Sequence, residues 1–196
     1  MILRAAERLA VPWKNGGGLT REVAVHPPGS DLGNFDWRVS IAEVHRGSPF
    51  SSFPGVDRHM AVISGVLTLS VAGREPLTLS HDGPCLSFPG DVPASAEPRQ
   101  APVTDLNVMT RRGRFAARLR RGSVPGEAVV KPESDTTLIV ASGPLVLRAP
   151  SIACSLSMLD AVRLPASGAL LTLRAAGPAA IFWLIEICAL WGVPHA

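Results

Sequence analysis

The sequence is poor in the residues that build disulfide frameworks and metal sites. It has three cysteines and no Cys-x-x-Cys pair, which supports neither a disulfide-stapled fold nor a zinc knuckle. Widely separated cysteines fit a reducing compartment. No two histidines stand at His-x-His or His-x-x-x-His spacing, so we expect no structural or catalytic metal and no cofactor. The residues concerned are Cys85, Cys154, Cys188, His26, His45, His59, His81 and His195.

Charge and long apolar runs are also scarce. Charged residues make up 18% of the chain and hydrophobic residues 46%, which is typical of a globular protein. The net charge of +3 permits an anionic ligand without requiring nucleic acid. The most apolar run, residues 179–193, contains Glu186 and is shorter than the ~20 residues that span a bilayer. Arg4, Glu7 and Arg8 interrupt any signal-peptide pattern, so we expect a cytoplasmic protein with no membrane contact.

Glycine and proline, by contrast, are abundant, with 18 residues of each. Frequent glycine and proline favour short strands and tight turns over long helices. Phe35–Ile41 alternates between apolar and polar residues, which predicts a strand with one buried face. Similar segments recur about every ten residues with turn signals between them, and this spacing predicts an all-β sandwich or barrel.

The predicted strands fall into two series. The first comprises Thr20–Val25, Phe35–Ile41, Met60–Ile63, Leu67–Val71, Leu77–Leu79, Cys85–Phe88 and Asp105–Met109. The second comprises Thr137–Ala141, Leu145–Leu147, Ala153–Met158, Ala161–Leu164, Leu170–Leu173 and Ala180–Ile187. We expect a Pro/Ala-rich loop from Pro89 to Pro102 and a polar connector over Ser123–Asp135. The chain is thus predicted to form two barrel-like halves, 1–115 and 116–196, with the ligand chemistry in the first.

The most unusual stretch is residues 12–22, Pro-Trp-Lys-Asn-Gly-Gly-Gly-Leu-Thr-Arg-Glu. Consecutive glycines can reach positive φ and approach another surface closely. A phosphate-binding loop would need Gly-Lys-Ser/Thr opening a helix, whereas Leu19 and Thr20 open a strand. We therefore expect a shaped turn in which Asn15 and Thr20 face a small ligand.

Five sequence blocks are individually unusual and occur in one order within the first 112 residues. They are residues 12–22, Trp37–Ala42, Pro49–Arg58, Phe88–Asp91 and Asp105–Arg111. Together they resemble the HutD/Ves family of cupin-like proteins, whereas the second half of the chain is similar only in being β-rich. The resemblance implies two cupin barrels, or jelly rolls, in one chain. It also implies a non-enzymatic, regulatory or accessory protein of histidine utilisation that senses or buffers a metabolite such as urocanate or a formylated glutamate.

Most cupin enzymes hold a metal with two motifs that supply histidines and a glutamate. Alignment on Ile63–Val66 places Ser51, Phe53 and Arg58 where the first-motif ligands would fall, and Pro93 near the second-motif histidine. None of these is an ordinary ligand for zinc, iron or manganese. His59 lies inside a motif, but an exposed or core-edge histidine is the plainer interpretation.

A barrel mouth without a metal can still bind a small molecule. Arginine presents a planar fork suited to a carboxylate, and asparagine can orient an amide or imidazole edge. We predict that Arg38 or Arg58 pairs with a ligand carboxylate, with Phe50 and Phe53 as apolar wall. The structural alternative is that Arg58 pairs with Asp57, Asp105 or Glu43 and only ties strands together. The candidate ligand-binding residues are Trp13, Asn15, Thr20, Arg38, Ser40, Arg58, Asp105 and Asn107.

Other functions stay open. A metal-independent isomerase or lyase acting on a small carboxylate would need a base, for which His59, Glu43 and Asp105 are candidates, but no catalytic residue is assigned. A stress-response protein of undefined chemistry is a further alternative. The six arginines within 111–121 lack the interleaved aromatics of a single-strand binder, so we expect no nucleic-acid partner. Strand edges of such barrels also allow a homodimer.

Overall fold

The glycine- and proline-rich sequence folds almost entirely into strands. The computed structural model describes residues 1–164 and 168–190, so His195 and the end of the apolar run lie outside the described residues. Within this range a 3₁₀ turn at Ala5–Glu7 is the one helical element, and no helix is long and apolar enough to cross a membrane. The all-β prediction is confirmed.

The strands are numbered in chain order. They are β1 (Ile2–Leu3), β2 (Ala10–Pro12), β3 (Gly18–His26), β4 (Trp37–Val44), β5 (Ser48–Pro49), β6 (Val56–Val71), β7 (Leu77–Ser80), β8 (Leu86–Pro89), β9 (Ala94–Arg111), β10 (Phe115–Val124), β11 (Glu127–Val130), β12 (Thr136–Ala141), β13 (Leu145–Ala149), β14 (Ile152–Leu156), β15 (Ala161–Leu164), β16 (Leu171–Ala175) and β17 (Ala180–Ala189).

The described chain divides into two units. The N-terminal unit contains Arg8–Ala116 with Leu190, and the C-terminal unit contains Met1–Glu7 with Ala117–Ala189. The first seven residues join the C-terminal unit because β1 pairs with β15, with Ile2 opposite Val162. Pairing between strands some 160 residues apart cannot be predicted from local sequence patterns.

An eight-stranded antiparallel sheet forms the N-terminal unit. Its order is β2-β3-β4-β9-β6-β7, with β5 added on β9 and β8 on β6. Strands β6 and β9 contain 16 and 18 residues and pair along most of their length. Register shifts between Val62 and Leu67 interrupt that ladder, and bulges of this kind bend a strand. One half of β6 thus pairs with β8 and the other half with β7.

Two loop predictions were wrong in part. Residues 94–102, expected as loop, form the first half of β9 and pair with β6, with Ala96 opposite Leu69. The expected connector Ser123–Asp135 contains the end of β10 and all of β11. Residues 94–102 lack strong strand formers, and pairing with β6 outweighs their weak local preference. In the second segment Val129 and Val130 favour a strand locally, and this strand pairs with β16.

Apolar side chains from several strands form the core of the N-terminal unit. The larger cluster includes Met60, Val62, Leu67 and Phe88, with Trp13 and Phe50 packed against it at lower burial. A smaller cluster contains Phe35, Val56 and Met109. Side chains that project into these clusters share the inner face of the sheet, where five of the candidate ligand-binding residues also lie.

The C-terminal unit has its own two sheets and core. A five-stranded sheet has the order β1-β15-β12-β17-β10, and a four-stranded sheet has the order β11-β16-β13-β14. Buried side chains from both sheets, such as Ile139, Leu147 and Leu173, form one cluster. Glu186 is buried on β17 and forms an ion pair with Arg120 of β10.

Candidate functional site

Cross-strand pairing brings polar side chains together on the inner face of the eight-stranded sheet. Arg38 and Arg58 both lie opposite Met109, one on each side of β9. Ser40 lies opposite Asn107 in the next inward-facing rung, and Asp105 belongs to the rung after that. Directly opposed residues in an antiparallel sheet share a face. We name these five residues, Arg38, Ser40, Arg58, Asp105 and Asn107, the polar cluster.

A chain of hydrogen bonds links the most buried members of the polar cluster. Arg58 Nη2 donates to Asn107 Oδ1 at 2.8 Å, and Asn107 Nδ2 donates to Asp105 Oδ1. The exposed fractions are 5% for Arg58, 6% for Asn107 and 1% for Asp105. The amide therefore turns its acceptor towards the cation and its donors towards the carboxyl group.

Arg58 retains unused hydrogen-bonding capacity despite its burial. Its guanidinium carbon lies 4.4 Å from the ring centre of Phe50 and 5.2 Å from that of Phe88. Such contacts stabilise the cation without using its N–H groups. Within the described residues, buried Arg58 Nε has no hydrogen-bond partner. A buried, unsatisfied donor on a cation is costly unless a partner arrives.

Burial dominates the electrostatics of the cluster. Desolvation lowers the pKa of Arg58 to about 10, against the opposing charge of Asp105, so the guanidinium stays cationic at neutral pH. Desolvation raises the pKa of Asp105 to about 7, against the Arg58 charge and the Asn107 hydrogen bond. The carboxyl group of Asp105 can therefore gain or lose a proton near neutrality.

Arg38 occupies the more accessible side of the polar cluster. Its Nη1 donates to Ser40 Oγ at 3.4 Å, and its Nε donates to Glu22 Oε2 at 2.9 Å. The Arg38 side chain is 13% exposed, whereas that of Glu22 is 43% exposed. The inner face thus carries a buried arginine and a second arginine whose partner reaches solvent.

The remaining predicted ligand residues lie on or beside the N-terminal turn. Trp13 Nε1 donates to Thr20 Oγ1 at 2.8 Å, and Thr20 lies opposite Ala42, on the same face as the polar cluster. Asn15 Oδ1 accepts from the Gly17 amide at 2.9 Å, so this oxygen serves the turn itself. The turn therefore joins the site through Trp13 and Thr20.

Glycines allow this turn to press against the end of β4. A Cβ on Gly18 would overlap the carbonyl oxygen of Glu43, and Gly16 has a φ of +66°. The Gly17 carbonyl accepts from the amides of His45 and Arg46, which fixes the turn against the chain that follows β4. Close backbone approach accounts for the glycine at 18, and a left-handed conformation accounts for the glycine at 16.

Two titratable neighbours of Arg58 on β6, Asp57 and His59, point away from the polar cluster. His59 lies on the other face of β6, where Nδ1 is 2.7 Å from Ser87 Oγ. Burial lowers the pKa of His59, with the charge of Asp57 opposing. Asp57 pairs with Arg112 at 2.8 Å rather than with Arg58. Arg58 reaches a carboxyl group through Asn107 instead.

Four arginines of the basic stretch have partners within their own unit. Arg111 donates to backbone carbonyls, including that of Pro54 at 3.2 Å. Arg112 bonds to Asp57 and Asp91, and Arg114 lies 2.6 Å from Asp36. Arg120 pairs with Glu186. These contacts give the arginines structural roles.

The N-terminal unit has a surface cleft that the sequence did not predict. Its volume is about 340 Å³, and none of its lining residues belongs to the polar cluster. The signal that could have indicated it is the presence of lining residues within two of the sequence blocks noted above. The lining includes Leu32, Ser52, Phe53, Pro54, Val56 and Arg111.

The HutD family model matches residues 5–183. The chain belongs to the HutD family. It is 32% identical over 191 residues to an uncharacterized 21.2 kDa protein in the hutC 3′ region of Pseudomonas putida, a match covering 95% of this chain and 96% of that protein. Protein Ves of Cronobacter sakazakii is 38% identical over 110 residues, which cover 55% of this chain and 59% of Ves. The chain thus matches little more than half the length of Ves.

Solved structures of similar fold include HutD from Pseudomonas fluorescens SBW25. The TM-score is 0.80 at 28% identity, with 97% of this chain and 98% of that chain covered. A cupin 2 conserved barrel domain protein from Leptotrichia buccalis has a TM-score of 0.59 at 12% identity, with 90% and 92% covered. The second match shows the fold alone, which is cupin-like.

The polar cluster does not fit the metal that cupin enzymes hold. Within the part of the chain that the structure describes, no three His, Cys, Asp or Glu side chains gather to hold an ion. The aligned ligand positions carry Ser51, Phe53, Arg58 and Pro93. Arg58 places a buried cation at one of them, and its charge would repel a metal ion. The expectation of no metal stays a prediction.

Proposed function

We propose that the N-terminal unit binds a small carboxylate metabolite at the polar cluster and that the protein is a non-enzymatic accessory protein of histidine utilisation. The ligand is of the urocanate or formylglutamate type. The observation that carries this proposal is Arg58, a buried guanidinium with an unsatisfied Nε and two phenyl rings close by. The location of the Pseudomonas putida relative in a hutC region supports the pathway.

A carboxylate is the ligand group that best completes Arg58. The guanidinium has five N–H donors, and one of them is committed to Asn107. Carboxylates accept two parallel hydrogen bonds from such a fork, and a buried charge-assisted pair is stronger than a neutral one. The rings of Phe50 and Phe88 lie beside the guanidinium and give the site flat apolar surfaces, which suit a short or planar ligand.

The second arginine supplies a contact for the other end of a ligand. Arg38 and Arg58 lie on the strands either side of β9, both opposite Met109. Two inter-strand steps put their backbones about 10 Å apart. A metabolite with two separated polar ends fits this spacing, and formylglutamate is of that kind. Ser40, in the next rung of β4 and opposite Asn107, offers a further hydrogen-bonding group for the ligand.

Calorimetric titration tests this proposal. Formylglutamate and urocanate are titrated into the wild type, Arg58→Lys and Arg99→Ala. Lysine keeps the charge but loses the planar fork, so we expect at least about tenfold weaker binding, or 1.4 kcal/mol. Arg99 is exposed on β9 of the same unit, and its replacement removes one positive charge without touching the polar cluster. Equal affinities in all three proteins, or no binding by the wild type, would contradict the proposal.

A metal-independent isomerase or lyase is the second candidate. Burial holds the pKa of Asp105 near 7, and a carboxyl group of this kind suits general acid–base work at neutral pH. Arg58 would orient a carboxylate substrate beside it. Product analysis after incubation with each metabolite that binds separates the two functions: turnover that Asp105→Asn abolishes would favour the enzyme.

We also propose that each unit is a cupin-like barrel with the ligand in the first. The cupin-like fold of the whole chain supports this organisation. A homodimer through strand edges stays a prediction that light scattering tests. A mass of one chain in dilute solution would contradict it.

A further inference from the structure

In the polar cluster, the guanidinium of Arg58 is close to the carboxyl group of Asp105 and is also the proposed partner of a ligand carboxylate. Without ligand, Arg58 is linked through Asn107 to the carboxyl group of Asp105, which is 1% exposed. A ligand carboxylate on Arg58 would place a second negative charge within the same buried group. Two carboxylates and one guanidinium leave a net buried charge, and an uncompensated buried charge is costly.

We propose that binding of a carboxylate ligand at Arg58 is coupled to the uptake of one proton by Asp105. This inference rests on the proposed function, since it concerns the same ligand. The proton neutralises Asp105, so that Arg58 and the ligand carboxylate become the buried ion pair. The protein would then bind the anion together with a proton.

The hydrogen-bond chain is compatible with either state of Asp105. Asn107 Nδ2 donates to Asp105 Oδ1, and a protonated carboxyl group still has a carbonyl oxygen that accepts this bond. Asn107 Oδ1 remains directed at Arg58. Proton uptake therefore needs no rearrangement of the residues that hold the ligand.

Among the charged groups around Asp105, Arg58 is its principal electrostatic partner. Arg58 is the charge that shifts the titration of Asp105, and burial already holds its pKa near 7 before any ligand is present. Its own strand contributes Arg111 on the same face. The other groups lie on neighbouring strands. They are Asp57 and His59 on the far face of β6, Arg38 and Glu43 on β4, and Glu22 on β3.

The coupling has a defined pH dependence. A bound anion raises the pKa of Asp105 above its ligand-free value of about 7. Below pH 7 the residue is already protonated, so affinity changes little with pH. Above pH 7 each bound ligand takes up a proton, and the dissociation constant rises by up to about tenfold per pH unit.

Titration calorimetry in paired buffers tests the inference. Formylglutamate is the probe, because its carboxyl groups titrate near pH 4 and contribute no protons above pH 7. Heats at pH 8 in phosphate and in Tris, which differ in ionisation enthalpy, give the number of protons taken up. We expect about one for the wild type and about zero for Asp105→Asn. His59→Gln is the matched control, since it removes a nearby titratable group from the far face of β6 and should leave the uptake unchanged.

The outcomes separate this inference from the proposed function. Binding without proton uptake, with equal affinity at pH 7 and 8.5, overturns the coupling and leaves the binding function standing. Uptake that persists in Asp105→Asn but disappears in His59→Gln also overturns it. No binding by the wild type, even at pH 6, overturns the proposed function and the inference with it.

Infrared spectroscopy of the wild type keeps the inference testable if Asp105→Asn does not fold. Addition of formylglutamate at pH 8 should produce the carbonyl band of a protonated carboxylic acid and remove a carboxylate band. A difference spectrum without the acid band at saturating ligand would overturn the coupling.

Discussion

At the scale of single residues, burial decides what the titratable groups of the polar cluster can do. Arg58 and Asp105 would be ordinary surface charges if β6 and β9 did not turn them inwards. Enclosure lowers the pKa of the arginine and raises that of the aspartic acid, because it removes water from both. The same enclosure leaves Arg58 Nε without a partner, which makes the residue a candidate for ligand binding.

The raised pKa of Asp105 predicts how stability changes with pH. The folded-state value of about 7 exceeds the unfolded value of 3.8, so the stabilising contribution is full below pH 3.8 and is lost as pH rises through 7. The Asp105→Asn variant has no carboxyl group at this position, so its free energy of unfolding should not fall in this way as the pH rises. Its free energy of unfolding relative to wild type should increase between pH 5 and pH 8 by at least about 1.4 kcal/mol, the equivalent of one pKa unit.

Urea unfolding at the two pH values measures this difference. Asp91→Asn is the control, because hydrogen bonds from Arg112 and the Gly55 amide lower the pKa of Asp91. Its carboxylate is ionised at both pH values, so its difference from wild type should stay flat. A flat difference for Asp105→Asn would show that the buried carboxyl group titrates normally.

Gly18→Ala tests the close contact between the N-terminal turn and β4. The added Cβ would overlap the carbonyl oxygen of Glu43, which is backbone and cannot rotate away. We expect a loss of about 1–3 kcal/mol in the free energy of unfolding, the usual cost of overpacking. Gly177→Ala, at an exposed site where a Cβ meets nothing within 4 Å, should change stability by less than about 0.5 kcal/mol. Equal effects in urea unfolding would contradict the close-contact explanation.

At the scale of elements, the sequence predicted most strands because alternation is a local property. Phe35–Ile41 alternates and Ala180–Ile187 is a nearly continuous apolar run; both patterns are visible in the sequence itself, and the segments fall largely within β4 and β17. The first half of β9 could not be predicted in this way. Residues 94–102 contain two prolines and exposed charges, and they are strand because β6 continues beyond its bulges and pairs with them.

The ion pair between β10 and β17 gives a prediction for the C-terminal unit. The Glu186 side chain is 6% exposed, whereas that of Arg120 is 49% exposed. Arg120→Ala leaves a buried carboxylate held by the Glu133 amide, and we expect a loss of about 1–3 kcal/mol. Arg120→Ala/Glu186→Met removes both charges and should recover most of that loss. Chemical denaturation compares the variants, and a double variant no more stable than Arg120→Ala would contradict the argument.

At the scale of the whole molecule, the first seven residues contact strands that lie far along the sequence. Asp160 accepts hydrogen bonds from Arg4 at 2.7 Å and from the Ala5 amide at 2.8 Å, while Met1 and Arg163 pair through their backbones. The predicted boundary at residue 115 took no account of these contacts, because composition changes mark linkers and not long-range pairing. Arg4 and Asp160 stand in unremarkable local sequence.

Deletion of residues 1–7 tests this organisation. The deletion turns β15 into an edge strand and removes two hydrogen bonds from Asp160. Amides in β15 should exchange with solvent at least about tenfold faster, while those of Leu106–Val108 in β9 should keep their wild-type rates. Hydrogen–deuterium exchange measures both segments. Unchanged protection of β15 would mean that the first residues contribute nothing to the C-terminal unit.

The structure brings most of the candidate ligand-binding residues together, and ligand binding by them stays a prediction. Five of the eight candidate residues form the polar cluster, since strand alternation and the family resemblance both pointed to β4, β6 and β9. Asn15 differs, because its oxygen closes the turn. The cleft beside Arg111 was not predicted, since loops that are distant in sequence form it.

A crystal structure of the protein grown with saturating formylglutamate at pH 6 would show directly whether Arg58 binds the ligand. We expect one ligand carboxylate within hydrogen-bond distance of Arg58 Nε, close to the rings of Phe50 and Phe88. Ligand found instead in the cleft against Arg111, with Arg58 Nε still without a partner, would contradict it.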